Sequence, residues 1–332
     1  MGEFDLIARY FKRPPVRAAL GVGDDCALLQ TSPGTQLAIS SDMLVEGRHF
    51  LSTVDPFKLG HKALAVNLSD LAACGAKPLA FTLALALPRS DEAWLTPFSQ
   101  GLLALADAHH CELIGGDTTR GPLNICITVF GEVPVLSGRS QALLRSGAQV
   151  GDDLYVSGTL GDARLALEVF RGNLSVPSPV FEAARLRMEQ PTPRLALGMA
   201  LCGIATAAID ISDGLLGDLG HILKQSGVGA TVNADSAMAL VASRAYYTQA
   251  NGLSGAEIST DQWRDWALAG GDDYELLFTA PLSARALVSA AAQTSQTPVT
   301  RVGQIDTGRC LRLIDGEGHA VPNSYSSFDH FA

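Results

Sequence analysis

Six short acidic clusters, each beside glycine, serine or threonine, run from one end of the chain to the other. They are Gly23-Asp24-Asp25, Ser40-Ser41-Asp42, Ser69-Asp70, Gly115-Gly116-Asp117-Thr118-Thr119, Asp210-Ile211-Ser212-Asp213-Gly214 and Gly270-Gly271-Asp272-Asp273. Most follow or interrupt an apolar run, where an unpaired carboxylate is costly. Two carboxylates ~5 Å apart at an effective dielectric of ~20 repel by roughly 3 kcal/mol. A fold that gathered four or more would therefore need protons or cations there. Hard oxygen donors of this kind favour Mg²⁺ or Ca²⁺.

At 332 residues and 47% hydrophobic, the chain can bury one large core or two medium ones, and its length favours two domains. Charged residues make up 17%, which argues against a disordered or coiled-coil protein. The net charge of −10 would repel nucleic acid and anionic membrane, so neither is an expected partner. A small anion carried with Mg²⁺ fits better. Residues Met1 to Arg13 read as an amphipathic helix without a signal-peptide core. The most apolar stretch, Leu79 to Leu87 between Pro78 and Pro88, is too short to span a bilayer and reads as a buried strand. Cys26, Cys74, Cys111, Cys126, Cys202 and Cys310 lack C-x-x-C spacing and read as reduced core residues of a cytoplasmic protein.

Strand-like and helix-like stretches alternate throughout, which gives an α/β or mixed α+β class. Strands are expected at Cys26–Gln30, Gln36–Ser41, Leu79–Leu87, Glu112–Ile114 and Leu123–Val133, and helices at Pro56–Cys74 and Asp91–His110. Glycine-rich residues 137–153 mark a junction, which divides the chain into domains 1–137 and 138–332. Beyond it, strands are expected at Leu154–Ser157, Ile204–Ile209 and Tyr274–Thr279, and helices at Asp162–Phe170 and Gly214–Gln225.

Absences narrow the chemistry. There is no Gly-Lys dipeptide and hence no Walker A loop; G-x-G-x-x-G, H-E-x-x-H and G-x-S-x-G are also missing. If the chain handles ATP, acidic clusters gripping Mg²⁺ between phosphates offer a route. Gly115-Gly116-Asp117 reads either as a strand end that lets backbone amides approach a phosphate or as a tight turn with a capping Asp. Asp210 to Gly214 has the same two readings, with Ser212 or Asp213 an ordinary N-cap. Asp70 interrupts a helical apolar pattern and shares a face with Asn67, turned either to solvent or to a site. His49 is a substrate contact or a structural histidine. Arg120 and Arg145 suit phosphate, and each also reads as a surface residue. Tyr325 and Phe328 stack on a ring or dock a tail.

Taken in order, Gly21 to Ala27 (GVGDDCA), Ala38 to Asp42 (AISSD), Ala63 to Asp70 (ALAVNLSD), Ile114 to Gly121 (IGGDTTRG), Leu144 to Ala148 (LRSGA), Ile209 to Gly214 (IDISDG) and Gly270 to Glu275 (GGDDYE) resemble the thiamine-monophosphate kinases. The resemblance runs to Phe328-Asp329-His330-Phe331 and is specific as a collinear set. It implies the two-domain fold of aminoimidazole ribonucleotide synthetase, a homodimer paired through N-terminal domains, and ATP and thiamine monophosphate as substrates. Carried over by position, it implies Asp25, Ser40, Ser41, Asp42, Asp70, Asp117, Asp210 and Asp213 as ligands of several Mg²⁺ ions. Gly116, Asp117, Arg145 and Ser212 would meet ATP, and His49, Asp272 and Tyr325 the thiamine phosphate. Relatives often carry Glu at the position of Asp272 and Trp at that of Tyr325; both changes preserve the chemistry. The rival readings are another ATP-dependent synthetase of this fold and a metal-stabilised nucleotide sensor. No cysteine precedes Cys26, as a selenophosphate synthase would require, and no C-terminal cysteine stands where a hydrogenase-maturation relative would have one.

Overall fold

The structure, a computed structural model, describes residues 2–250 and 258–326; Phe328 and the 329–331 match lie outside the described residues. The chain divides into two compact units, Met1–Leu71 with Ala76–Ala142, and Ala72–Gly75 with Leu143–Ala332. Both are mixed α/β.

In the first unit the elements run α1 (Glu3–Tyr10), β1 (Thr35–Val45), α2 (Pro56–Ala73), β2 (Lys77–Leu87), α3 (Glu92–Ala108), β3 (Glu112–Arg120), β4 (Asn124–Leu136) and the short β5 (Arg139–Ser140). The sheet order is β1-β4-β2-β3, with β5 paired to β4; only β2 and β3 are parallel. Burial alternates along β4, with Ile125, Ile127 and Val129 inside, as a sheet covered on one face requires. Leu59, Leu64, Leu68 and Leu71 of α2 and Leu95, Phe98 and Leu102 of α3 are also buried.

Two expectations change here. Residues 26–30 form no strand: Leu28 makes one antiparallel bridge to Leu20, closing a loop that carries Gly23, Asp24 and Asp25. The strand expected to end at Ile114 continues through both glycines to Arg120, because parallel pairing with β2 holds Leu83 against Gly116 and Leu87 against Arg120.

The second unit holds β6 (Asp153–Ser157), α4 (Asp162–Phe170), α5 (Ser178–Glu189), α6 (Leu195–Leu201), β7 (Ala207–Ile211), α7 (Leu215–Ser226), β8 (Gly229–Asn233), α8 (Ala234–Met238), α9 (Ala242–Ala250), α10 (Thr260–Ala269), β9 (Glu275–Ala280), α11 (Arg285–Thr294), β10 (Val299–Asp306), β11 (Leu311–Ile314) and β12 (Ala320–Val321). Its sheet order is β12-β11-β8-β10-β6-β9-β7. Every residue of β6, β7 and β9 is buried, so these strands are covered on both faces, and the polar residues among them, Asp153, Asp210 and Glu275 included, are buried as well. The cysteines depart from expectation: only Cys111 is buried, while Cys26 and Cys310 are exposed. Both exposed cysteines sit in bends of the chain. Among the described residues no helix is long and apolar enough to cross a membrane.

Helices α2 and α3 meet backbone to backbone. A Cβ on Gly60 would fall 2.1 Å from the Phe98 carbonyl oxygen, and one on Gly101 would fall 1.9 Å from that of Phe57. No rotamer change relieves such a clash. Gly101→Ala should therefore destabilise the protein by about 1–3 kcal/mol, despite the ~0.5–1 kcal/mol that alanine gains in a helix. Urea unfolding checks this, and an unchanged midpoint would mean the helices part freely.

Candidate active site

In the first unit, the irregular segment before β1 is tied to the sheet by two carboxylates. Glu112, at the start of β3, accepts the backbone amides of Val16, Arg17 and Ala18 at 2.6, 2.9 and 3.0 Å. Glu132 of β4 accepts the Ser32 amide at 2.9 Å and the Ser32 hydroxyl at 3.1 Å. Ala18, Ala27 and Leu29 pack with Leu79, Ala80 and Ile114. The segment between the ties thus brings Asp24 and Asp25 to the same cleft as Gly115, Gly116, Asp117 and Thr118. That cleft, of about 540 Å³, is also lined by Glu3, Phe4, Ile7 and Phe11 from around α1. Gly116 is required within it: its φ is +143°, and a Cβ would meet the Leu83 carbonyl oxygen at 1.9 Å.

A second grouping lies where β1 meets α2. Ser40 Oγ donates to Asp70 Oδ2 at 2.5 Å, and the Asp42 amide donates to Asn67 Oδ1 at 3.0 Å. Asn67 and Asp70 therefore share the helix face turned to β1, and Asp70 is directed at a strand hydroxyl. Ser41 points the other way, bonding Thr128 Oγ1 at 2.9 Å across the ladder. Asp42 and Gly116 share one row of the sheet, Asp42–Ile127–Leu83–Gly116, three strand spacings or roughly 14 Å apart. Among the described residues no three His, Cys, Asp or Glu side chains come close enough to hold an ion; the clusters form separate oxygen-rich groups. Carboxylates and hydroxyls are the donors Mg²⁺ takes, so the residues fit a hard cation. His49 closes the turn after β1, its Nδ1 accepting the Val45 amide at 2.9 Å, which puts the proton of the neutral ring on Nε2. Arg120 is exposed at the end of β3.

In the second unit, Asp210 is buried within β7, opposite Leu276. Ser212 and Asp213 follow as a loop before α7. Both of their amides donate to Asp218 Oδ2, each at 3.1 Å. Burial pushes the Asp218 carboxyl up to about 7, opposed by the amides of Asp213 and Ser212 and by Arg145, while the Asp213 carboxylate adds to the rise. Arg145 is exposed, and its segment is fastened by the Ser226 hydroxyl, which accepts the amides of Gly147 and Ala148 at 3.1 Å each.

The Gly270–Tyr274 loop lies against this one. The Asp272 amide donates to the Ser212 carbonyl at 2.7 Å and the Tyr274 amide to that of Ile211 at 2.8 Å. Asp272 and Tyr274 have φ of +63° and +51°, a conformation costing such residues on the order of 1–3 kcal/mol each. Glu275 anchors the loop's end. Fully buried, it accepts the Ser157 hydroxyl at 2.6 Å, Arg187 at 2.7 Å and Arg194 through two nitrogens at 2.6 Å each. Tyr325 packs against the unit's main core near Arg264. Sequence reasoning missed Glu112, Glu132 and Glu275, whose bonds span 81 residues or more and leave no local spacing to read, and Asp218, whose bonds reach five and six residues back and match no motif.

The AIR synthase related protein N-terminal domain family matches residues 23–133, and the C-terminal domain family matches residues 149–314. The chain is thus a two-domain protein of the AIR synthase related class. It is 47% identical to the thiamine-monophosphate kinase of Salmonella typhimurium over 338 residues, covering 100% of this chain and 98% of the other. A crystal structure of the Stenotrophomonas maltophilia thiamine-monophosphate kinase superposes with a TM-score of 0.80 at 46% identity, covering 96% of each chain. AaThiL complexed with AMPPCP and TMP superposes at 0.73 with 28% identity, over 91% of this chain and 89% of that one. The chain belongs to the thiamine-monophosphate kinase family.

Asp273 stands apart from its neighbour Asp272. Its Oδ1 accepts the Gly161 amide at 2.9 Å, while its buried Oδ2 has no hydrogen-bond partner. Burial pushes this carboxyl well above its usual range, against the pull of Gly161 and Arg187. A group whose folded pKa is raised contributes stability that is full below its unfolded pKa and lost as pH rises through the folded one. Asp273→Asn should therefore gain thermal stability relative to the wild type as pH rises from about 5 to about 9. Melting curves across that range check it; a constant difference would mean that Asp273 is already ionised at pH 5.

Proposed function

We propose that this protein phosphorylates thiamine monophosphate to thiamine diphosphate, transferring the γ-phosphoryl group of ATP directly with the assistance of several Mg²⁺ ions. The observation that carries this is the cleft placing Asp25 beside Gly116, Asp117 and Thr118, in a chain that matches thiamine-monophosphate kinases over its full length. The acceptor is a phosphate monoester with a second pKa near ~6, so its attacking oxygen is mostly ionised at neutral pH. It attacks Pγ as the bond from Pγ to the bridging oxygen breaks, and ADP leaves with that electron pair. No side chain has to remove a proton. The remaining difficulty is bringing two anions together in line, and Mg²⁺ when bound supplies the charge neutralisation.

In this reading Asp25, Ser40, Asp42, Asp70, Asp117, Asp210 and Asp213 hold the metal, and Ser41 joins them through its main chain, its hydroxyl being bonded to Thr128 on the other face of β1. Gly116 brings bare backbone to the phosphates, with Asp117, Ser212 and Arg145 completing the ATP contacts. Arg145 is suited to the role by its exposed guanidinium. His49, through Nε2–H, Asp272 and Tyr325 meet thiamine phosphate; a carboxylate suits the aminopyrimidine and an aromatic face the cationic thiazolium. Residues 1–137 form an ATP- and Mg²⁺-binding and dimerisation domain, and residues 138–332 a domain that completes the active site. Leu37, Ile39 and Met43 leave an exposed apolar row along β1, which a second copy in a homodimer would cover. We place the enzyme in the cytoplasm.

Incubating the purified protein with ATP, Mg²⁺ and thiamine monophosphate should yield ADP and thiamine diphosphate in equal amounts. ATP binding without diphosphate formation would overturn the kinase reading. Asp70→Asn retains an acceptor for the Ser40 hydroxyl but loses the charge. It should lower turnover roughly 100-fold while circular dichroism and melting temperature stay near wild type. Full turnover would remove Asp70 from the metal site.

A further inference from the structure

We propose that Asp218 is a positioning residue that fixes the Ser212–Asp213 backbone and, through it, Asp272; the inference rests on the roles given above to those three residues. Asp218 lies in the first turn of α7, which Leu215, Leu219 and Ile222, all 0% exposed, anchor in the core. Its carboxyl group is therefore carried by a helix packed into the core of the unit. From there Oδ2 accepts two successive amides, those of Ser212 and Asp213, at 3.1 Å each.

These bonds do not serve the helix. The helix is capped at Gly214, and its own orphan donors are the amides that follow the cap. Asp218 instead reaches backward to two amides that precede it, so its effect falls on the loop. The fixed loop then offers the Ser212 carbonyl to the Asp272 amide at 2.7 Å. One oxygen atom thus sets the backbone that carries a nucleotide contact, a metal ligand and a substrate contact. A change in its position of one methylene would misplace all three, and displacements of ~1 Å in such groups cost on the order of 100-fold in rate.

Two conservative variants separate position from charge. Asp218→Asn keeps an acceptor oxygen in place and loses the charge; Asp218→Glu keeps the charge and moves the oxygen. Asn should leave kcat/KM within about threefold of wild type, and Glu should lower it by about 10- to 100-fold. Amide hydrogen exchange at Ser212 and Asp213 supplies a readout independent of activity, expected to quicken in the Glu variant and not in the Asn variant. A Glu variant as active and as protected as wild type, or an Asn variant as impaired as Glu, would overturn the proposal. If the wild type itself makes no thiamine diphosphate, the kinase reading falls, and the exchange measurement still decides whether Asp218 holds the loop.

Discussion

Carboxylates that reach from regular elements to the backbone amides of irregular ones are the interaction on which the candidate site depends. The loops that carry its side chains have little ladder pairing of their own. Glu112 takes three consecutive amides of the N-terminal segment, Glu132 takes that of Ser32, and Asp218 takes two before α7. A bond to an ionised acceptor contributes about 1.5–3 kcal/mol and leaves a costly orphan when broken; Asp218, pushed up to about 7, carries that charge only in part at neutral pH. The same bonds shield the carboxylates, which explains how a chain of net charge −10 buries several of them. Part of its acidic complement is thus committed to architecture before any ligand arrives.

That commitment limits what the sequence could reveal. Apolar residues announced β2, β6 and β9 because burial leaves a compositional trace, whereas β7, expected at Ile204–Ile209, begins at Ala207 and runs on through the buried Asp210 to Ile211. The helices α2, α3, α4 and α7 were legible from their period and their bounding residues. Gly115 and Gly116 misled, because the same dipeptide signals a turn when read locally and a close backbone approach when a parallel neighbour lies beside it. Pairing between β2 and β3 decides the matter, and it is a long-range fact. Residues 26–30 misled in the opposite sense: their apolar pattern packs Ala27 and Leu29 onto a small cluster without any strand partner.

The acidic clusters were visible at once, yet their division among tasks was not. Within the first unit the structure separates the Asp24–Asp25 and Asp117 cleft from the Ser40–Asp70 contact. The alternation of a strand contributes: Ser40 faces α2, whereas Ser41 faces Thr128. Consecutive residues in a motif can therefore serve opposite faces of a sheet. A motif read as a string implies a single shared site, and a β-strand contradicts that implication wherever it runs through one.

The adjacent pair Asp272 and Asp273 shows the same principle with chemistry attached. In sequence they are interchangeable. In the fold, Asp272 sits half-buried with a left-handed backbone beside the Ser212 loop, while Asp273 is enclosed against Gly161 with one oxygen unpartnered. The left-handed conformations at Asp272 and Tyr274 turn the chain twice within three residues, and this puts two neighbouring carboxyl groups into different environments. Desolvation then does the rest, favouring the neutral form of the enclosed acid. Glu275 and its two arginines hold the end of this turn in place. The strain in the loop is thus offset by a buried ion cluster, and in the proposed reading that cluster touches no ligand while the more accessible Asp272 side chain meets the substrate.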